Sequence, residues 1–266
     1  MDRIVSLQNS SVKKVVRLRE RRERDETGLF LIEGYRELKR AIDAGREIQS
    51  IFFCPELFLG ENELDLIEKS CAQKIPCSKE VFAKISYRDR PDGLLGVARQ
   101  MHLRLEDLEK KLPAAPFLLI AESIEKPGNL GTILRSCDAA GVDAVIVCDP
   151  TTDIHNPNVV RSSVGTLFTL PVLEADGEET LAFLHSRKIR IAAATPHAKE
   201  SFTSANLTGP IAVAMGTEQY GLSENWMTRA DCQVRIPMRG IADSLNVASA
   251  TTLLLYEVLR QRDLLR

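Results

Sequence analysis

The sequence predicts a two-part α/β protein, with a smaller α/β/α part followed by a larger part built on a mostly parallel sheet. Short apolar runs rich in β-branched residues alternate with helical segments, which is typical of strands covered by helices on both faces. The segment KKLPAAP, residues 110–116, interrupts this alternation. We therefore predict one domain over residues 1–99, a linker over 100–114 and a second domain over 115–266.

The first part shows short strands separated by helices that end at glycine or polar residues. Strands are predicted over 30–34, 48–54 and 93–99, and helices over 35–45, over 61–74 and from Lys79.

The second part shows a more regular alternation of apolar runs and helical stretches. Strands are predicted over 117–122, 144–148, 167–172, 189–195, 211–216 and 232–237. Helices are predicted over 129–140, 157–165, 177–187, 222–229 and 244–262.

Composition excludes several classes of protein. The 266 residues are 44% hydrophobic and 27% charged with mixed signs, so the chain is neither disordered nor fibrous. No apolar run is long enough to span a bilayer, and the first 16 residues lack the apolar core of a signal peptide. Six cysteines without a CxxC pair or a histidine cluster predict reduced thiols, no metal and a cytoplasmic protein.

The net charge of −2 argues against a nucleic-acid partner until the charges are placed along the chain. Residues 1–114 carry 22 basic and 20 acidic residues, whereas residues 115–266 carry 13 and 17. The window 13–24 alone has a net charge of +5, which is typical of a phosphate contact or of the exposed face of an amphipathic helix. Val12, Val15, Val16 and Leu18 would then lie on the buried side. The candidate contacts with nucleic-acid phosphates are Lys13, Lys14, Arg17, Arg21 and Arg22, with Arg88 and Arg90 in the polar loop 87–93.

Three glycine-containing loops follow predicted strands of the second part, where ligands of parallel sheets usually bind. The first, over 125–141, lacks GxGxxG, which disfavours a dinucleotide-dependent dehydrogenase. The second, GTEQYGLS over 216–223, has P-loop spacing without the lysine that would reach a phosphate. The third, over 236–250, makes Ser244 a candidate N-cap of the last helix. Ordinary nucleotide sites therefore do not explain these loops.

Taken together, the loops resemble the signature motifs of the SpoU/TrmH family of RNA 2'-O-ribose methyltransferases, within the SPOUT superfamily. The matching segments are KPGNLGTILRSCDAAGVDAVIV (126–147), AMGTEQYGLS (214–223) and IPMRGIADSLNVASATTLLLYE (236–257). The first part, with LFLIEGYRELKRAI and PDGLLGVA, is similar to the RNA-binding module that precedes the catalytic domain in many members.

The resemblance implies a fold, a cofactor and an assembly. It implies a deep trefoil knot in the second domain, S-adenosyl-L-methionine held in that knot largely by backbone groups, and a homodimer formed through the last helix. The cofactor would contact Thr195, Gly216, Ile236, Met238, Ser244, Leu245 and Asn246, with Ile236 and Leu245 on either side of the adenine.

The resemblance also assigns chemistry to Arg135 as the catalytic residue. Because a guanidinium stays protonated in proteins, we expect Arg135 to bind the RNA phosphate and stabilise the developing alkoxide. Asn129 is either the N-cap of its helix or a group that fixes Arg135 or the ribose. Glu218 is either a solvated carboxylate or a partner for an arginine or a polar loop group. Ser244 and Asn246 are expected both to cap the last helix and to contact substrate or cofactor.

The predicted function is therefore transfer of a methyl group from S-adenosylmethionine to a ribose 2'-hydroxyl of RNA. Of the RNA substrates we expect 23S-type large-subunit ribosomal RNA, because the first part is similar to that of rRNA-directed members. A tRNA substrate and a non-catalytic RNA-binding or ribosome-assembly role on the same scaffold remain alternatives. The sequence leaves open which nucleotide is modified and whether the role is housekeeping or antibiotic resistance.

Overall fold

A computed structural model describes residues 3–263 of the chain. Residues 1–2 and 264–266, which belong to the two predicted domains, lie outside the described residues. The helices are α1 (Ser10–Arg17), α2 (Arg21–Thr27), α3 (Tyr35–Asp43), α4 (Glu63–Lys69), α5 (Lys79–Ile85), α6 (Leu105–Glu109), α7 (Pro127–Ala140), α8 (Pro157–Ser162), α9 (Gly177–Ser186), α10 (Glu224–Arg229) and α11 (Val247–Asp263). The strands are β1 (Leu29–Glu33), β2 (Ile48–Phe53), β3 (Gln73–Pro76), β4 (Leu94–Arg99), β5 (Phe117–Glu122), β6 (Ala144–Cys148), β7 (Val172–Ala175), β8 (Arg190–Ala194), β9 (Glu200–Ser201), β10 (Ile211–Met215) and β11 (Cys232–Arg235).

The chain divides into two compact units. The first contains the residues up to Met101 together with Ile154–Thr169, and the second contains His102–Asp153 with the residues from Leu170 onward. The segment 154–169, which the sequence assigned to the second domain, therefore packs in the first unit. The domain boundaries as functional units stay a prediction.

The first unit is built on a four-stranded sheet with the strand order β1-β4-β2-β3. Strand β4 pairs antiparallel with β1 and β2, and β2 pairs parallel with β3. The inserted segment is held by side chains of this unit, because Arg40 donates to the Val164 carbonyl at 2.8 Å and Arg46 to that of Phe168 at 2.7 Å. His155 packs against the Phe30 ring and accepts a hydrogen bond from the Met101 backbone, so this buried histidine has a structural role.

The amphipathic helix considered for the basic run is divided in two, because α1 ends at Arg17 and α2 begins at Arg21. Arg24 explains the break. Its side chain is only 1% exposed, and its guanidinium donates to the carbonyls of Leu18 and Arg19 at 3.0 and 2.7 Å. Val12, Val15 and Leu18 are buried as predicted, whereas Val16 is half-buried.

Two further predictions of elements are wrong. The helix predicted over 61–74 ends at Lys69, and its last residues form strand β3. The strand predicted over 167–172 is the second. Its first two residues belong to a 3-10 helix, Thr166–Phe168, and β7 begins only at Val172. Gly165, with φ of 85°, turns the chain there, and Leu167 and Phe168 are buried without joining the sheet. A short apolar run does not distinguish a strand from a buried helical turn.

The second unit is a wholly parallel seven-stranded sheet with the order β7-β6-β5-β10-β8-β11-β9. Strands β5, β6 and β10 are buried along their whole length, as expected for a sheet covered on both faces. Because β5, β10, β8 and β11 are neighbours and parallel, the loops that follow them meet at one edge of the sheet. That edge carries all three motif loops.

Residues 3–263 contain neither a membrane-spanning helix nor a metal-binding cluster. No helix there is long and apolar enough to cross a membrane. Within the same residues, no cluster of histidine, cysteine, aspartate and glutamate is arranged to hold a metal ion.

The buried guanidinium yields a stability prediction. We expect Arg24→Met to lower the free energy of unfolding by about 1–3 kcal/mol, because two carbonyls at the end of α1 lose their buried donor. Arg22→Met on the same helix is the control, since Arg22 is exposed and, among residues 3–263, its side chain pairs with Glu26 alone, at 2.7 Å, a contact worth about 0.5 kcal/mol. Urea unfolding monitored by circular dichroism measures both. Equal midpoints for the two variants would contradict a structural role for Arg24.

Candidate active site

A cavity of about 530 Å³ opens at the carboxyl edge of the second unit's sheet, within the usual range for small-molecule sites. Six of the seven predicted cofactor contacts line it: Thr195, Gly216, Ile236, Met238, Ser244 and Leu245. The seventh, Asn246, follows Leu245 directly and reaches the site through a hydrogen bond described below. The structure thus brings together residues that three separate loops contribute. Their roles toward a cofactor remain predictions.

Gly216 sits where the backbone of the second loop folds back on itself. A Cβ atom at this position would lie 2.1 Å from the carbonyl carbon of Gly221 and 2.2 Å from the nitrogen of Leu222. Thr217 and Gly221 exchange two backbone hydrogen bonds at 3.0 and 3.1 Å, and Gly221 has a φ of 72°. Glycine at 216 is therefore required by space, and it fixes a tight turn from 217 to 221.

A chain of hydrogen bonds joins all three motif loops. The Asn129 side-chain amide donates to Glu218 Oε1, and Asn129 Oδ1 accepts from Asn246 Nδ2 at 3.2 Å. Asn246 Oδ1 in turn accepts from the backbone nitrogen of Ala248 at 3.0 Å. Oε2 of Glu218 is buried and has no hydrogen-bond partner among the described residues. Of the two readings of Glu218, the structure shows the one in which it pairs with a polar group.

Of the three candidate N-caps, Asn246 is confirmed, whereas Asn129 and Ser244 are wrong. Helix α7 begins at Pro127 after Lys126, which places Asn129 inside its first turn with its side chain committed to Glu218 and Asn246 rather than to Arg135. Helix α11 begins at Val247, and the side chain that accepts from its first turn is that of Asn246, not that of Ser244. Ser244 is an exposed residue of the cavity wall.

Arg135 lies on the exposed side of α7. The neighbouring Leu134 and Cys137 are buried, and Ser136 shares a hydrogen bond of 2.7 Å with Thr252 of α11. The helix is thus fixed on its inner side, while the Arg135 guanidinium has no ion pair or hydrogen bond within residues 3–263. This leaves its charge available to an external anion.

The predicted RNA contacts of the first unit differ in how free their charges are. Lys13, Lys14 and Arg17 are exposed on α1 and make no ion pair within the described residues. Arg21 pairs with Asp25 at 3.6 Å and Arg22 with Glu26 at 2.7 Å, one turn further along α2. The free charge of the basic run therefore concentrates on α1.

The two arginines of the loop 87–93 also have different surroundings. The Arg88 side chain is only 20% exposed and is bound to Glu37 at 2.9 Å, to Asp92 at 3.2 Å and to the Glu33 carbonyl at 2.7 Å. Burial raises the pKa of the Glu37 carboxyl, and the Arg88 charge opposes that shift. Arg88 thus holds the loop in place, and Arg90 is the exposed arginine of the pair.

Two residues in or next to the motif segments belong to the core. Trp226, in α10 just after the second motif, is 1% exposed and belongs to the same buried cluster as Leu222. Cys137 is buried on α7, and burial raises the pKa of its thiol well above the ordinary value, which favours a packing role over a nucleophile.

Sequence reasoning missed one aromatic residue of the cavity. Tyr220 lines the cavity and is 79% exposed. It lies in the second motif loop only two positions after Glu218, so proximity to a charged motif residue was the available signal.

Comparison with known proteins defines the class. Residues 116–256 match the SpoU rRNA Methylase family, and residues 9–96 match the MRM3-like substrate binding domain. The chain belongs to the SpoU rRNA Methylase family, which confirms the resemblance seen in the motifs.

Individual relatives agree over nearly the whole chain. The 23S rRNA (uridine(2479)-2'-O)-methyltransferase of Streptomyces viridochromogenes is 30% identical over 91% of this chain and 86% of its own length. A crystal structure of an RNA 2'-O ribose methyltransferase is 41% identical, with a TM-score of 0.86 over 98% of this chain and 99% of that one. An AdoMet-bound rRNA methyltransferase from Sinorhizobium meliloti is 28% identical, with a TM-score of 0.88 over 97% of each chain.

The close approach at Gly216 gives a prediction about cofactor binding. We expect Gly216→Ala to weaken S-adenosylmethionine binding about tenfold or more, because the added methyl group displaces the turn that forms one wall of the cavity. Gly128→Ala is the control, since a Cβ at Gly128 meets no atom within 4 Å. Isothermal titration calorimetry measures both affinities. Wild-type affinity in Gly216→Ala would show that the turn does not shape the cofactor site.

Proposed function

We propose that this protein transfers a methyl group from S-adenosylmethionine to a ribose 2'-hydroxyl of large-subunit ribosomal RNA. The observation that carries the proposal is the hydrogen-bonded set of Asn129, Glu218 and Asn246 beside a cavity lined by the predicted cofactor residues. Relatives named as 23S rRNA 2'-O-methyltransferases support the choice of RNA.

The cavity fits the cofactor in size and in lining. Its volume of about 530 Å³ suits a ligand of the size of a nucleoside with an amino-acid tail. Ile236 and Leu245 offer apolar surface for an adenine ring, and the bare backbone at Gly216 permits close approach of a ligand. When bound, S-adenosylmethionine supplies an electrophilic methyl group on a sulfonium.

Arg135 is the residue we propose to act on the RNA. A guanidinium in a protein is a hydrogen-bond donor and a positive charge, so we assign Arg135 these roles and not that of a proton acceptor. A bidentate contact with a phosphate beside the target would orient the ribose. The same charge would stabilise the negative charge on the 2'-oxygen as its proton is lost to water and the oxygen takes the methyl group, with the carbon–sulfur bond breaking to leave a neutral thioether.

The polar set holds the three loops in one arrangement. Asn129 donates to Glu218 and accepts from Asn246, so displacement of any one loop breaks a hydrogen bond to another. We propose that Glu218, Asn246 and the exposed Ser244 orient the ribose at the mouth of the cavity. Preorganised polar groups of this kind lower the barrier because they need no rearrangement during the reaction.

The proposal extends to features that the motifs imply. We propose that the second domain contains the trefoil knot of its family, that the protein acts as a homodimer through α11, and that it works in the cytoplasm. The first domain would recruit RNA through Lys13, Lys14, Arg17, Arg21, Arg22 and Arg90, with Arg88 holding the loop. Exposed Leu253 and Tyr256 on α11 support a protein contact on that helix.

Methylation of defined RNA tests the function. The purified protein is incubated with S-adenosylmethionine labelled in the methyl group and with bacterial 23S rRNA, 16S rRNA or tRNA transcripts. We expect label in 23S rRNA at one nucleotide, with the 2'-O-methyl group identified by its resistance to alkaline cleavage. If label appeared only in tRNA, the substrate would be tRNA and not 23S rRNA. Cofactor binding without label in any RNA, including ribosomal particles, would favour a non-catalytic role.

Arg135 gives a sharper test of mechanism. We expect Arg135→Ala and Arg135→Lys both to lower kcat at least about 100-fold while the Kd for S-adenosylmethionine stays within about twofold. Lysine keeps the charge but cannot form the bidentate contact. Arg187→Lys is a control, because within the described part of the chain the side chain of that exposed arginine pairs with Glu109 alone, at 2.9 Å. Near wild-type kcat in Arg135→Lys would exclude the bidentate phosphate contact.

The free charges on α1 yield a prediction about salt dependence. We expect alanine at Lys13, Lys14 and Arg17 together to weaken RNA binding and to reduce the slope of log K against log salt by about 2–3. Alanine at Arg21 and Arg22 should change the slope less, because those charges are already paired within α2. Filter binding at several salt concentrations measures both variants. Equal slopes would mean that α1 does not contact phosphates.

A further inference from the structure

We propose that Tyr220 is a stacking platform for an unpaired base of the RNA, at or next to the methylated nucleotide. The inference deepens the proposed function and rests on it, because it names the part of the substrate that the mouth of the cavity holds. It concerns a residue for which neither the motif chemistry nor the cofactor contacts require an aromatic ring.

The exposure of Tyr220 is the first observation. With 79% of its surface exposed, it is the most exposed aromatic residue among residues 3–263, in a chain with 5% aromatic residues. Its hydroxyl forms no hydrogen bond to any described residue, so neither packing nor a polar contact within the chain explains the ring. A large exposed aromatic group at the rim of a cavity is typical of a binding site.

The rigidity of its backbone is the second observation. The Tyr220 nitrogen donates to Thr217 Oγ1 at 2.9 Å, inside the turn that Thr217 and Gly221 close with two backbone hydrogen bonds. Gly216, directly after β10, packs against the far end of this turn, because a Cβ atom on Gly216 would lie 2.1 Å from the Gly221 carbonyl carbon. Tyr220 is therefore presented from a fixed position, as a stacking surface needs to be.

The position relative to Glu218 is the third observation. Tyr220 and Glu218 belong to one five-residue turn and line the same cavity, and the Glu218 carboxylate is bound to Asn129. Gln219, which lies between them, is also exposed and lines the cavity, so this side of the turn forms part of its solvent-facing rim. A base stacked on the ring would thus bring its own ribose, or that of its neighbour, next to the site.

The chemistry of RNA identifies the ligand. Sequence-selective proteins bind unpaired nucleotides by stacking their bases on aromatic side chains, and every base offers a π-face. Because a single glycosidic bond joins base and ribose, fixing the base limits the positions open to the 2'-hydroxyl, which favours alignment with the reactive methyl group. Because a folded RNA offers few unpaired bases, the platform would also contribute to the choice of nucleotide.

A substitution series at Tyr220 tests the inference on the full-length protein. Tyr220→Phe and Tyr220→Trp keep a flat ring, whereas Tyr220→Leu keeps apolar area without a π-face. The substrate is the unmodified 23S rRNA fragment that contains the target nucleotide. We expect the KM for this RNA in Tyr220→Phe and Tyr220→Trp to stay within about twofold of wild type. Leu should raise the KM for RNA about 5- to 100-fold, the range measured when stacking residues are truncated. The Kd for S-adenosylmethionine should not change. Leu59→Ala, at a residue 83% exposed in the first unit, is the control for loss of exposed apolar surface.

Abasic RNA makes the test specific for stacking. The same fragment is prepared with an abasic ribose at the target position or at either neighbour. We expect one of these substrates to be impaired with wild-type enzyme, and Tyr220→Leu to add little to that impairment. Additive losses at all three positions, equal KM values for Leu and wild type, or a loss confined to cofactor affinity would each overturn the inference. The last result would assign Tyr220 to the cofactor.

A fluorescence titration separates this inference from the proposed function. The chain has one tryptophan, and Trp226 is buried, so the Tyr220→Trp variant carries a single exposed reporter. Stacking on a base should quench it when 23S rRNA fragments are added, whether or not methyl transfer occurs. Quenching without methylation of any RNA would retain the platform and reject the enzyme. Methylation of RNA without quenching and without a change in KM would retain the enzyme and reject the stacking role of Tyr220.

Discussion

The active-site edge of this protein depends on one side-chain amide. Asn129 donates to Glu218 and accepts from Asn246, and these partners lie 89 and 117 residues further along the chain. The three loops follow different strands, and the parallel sheet only brings them to the same edge. The amide fixes them relative to one another, because a carboxamide satisfies a carboxylate acceptor and an amide donor at once. An aspartate at 129 would set two carboxylates side by side, and an alanine would leave Glu218 buried without a donor.

A second constraint acts through the backbone. Gly216 leaves no room for a side chain, because the chain returns through Gly221 within contact distance, and this sets the depth at which the turn ends. The same turn fixes Glu218 toward Asn129 and Tyr220 toward solvent. Small residues in such a loop therefore reflect the shape of the chain as much as the approach of a ligand. A glycine-containing loop after a strand is compatible with many ligands, and its side chains decide between them.

Sequence patterns predicted those elements whose formation depends on residues close together in the chain. The bounds of β5 and β6 agree with the sequence because those strands are continuous buried runs ended by polar or glycine-containing loops. The predictions failed where a distant partner decides. Leu167 and Phe168 are apolar because they are buried in the first unit, not because they belong to a strand. Arg24 is a buried hydrogen-bond donor, although the charged residues around it in the sequence are typical of a protein surface. The N-cap assigned to Asn129 failed for the same reason, since the side chain satisfies distant loops instead of its own helix.

Charge shows the same dependence on partners. The sequence counts seven cations between residues 13 and 24, yet Arg24 is buried against carbonyls and Arg21 and Arg22 already face carboxylates one turn away. The charge that can release counterions from RNA is therefore much smaller than the formal count. Contacts with phosphates give affinity without reading sequence, so selection of one nucleotide has to arise where an unpaired base and its ribose are held together. Under the proposed function, a motif loop that carries a carboxylate and an exposed aromatic ring in a single turn would meet that requirement, whereas a basic surface alone would not.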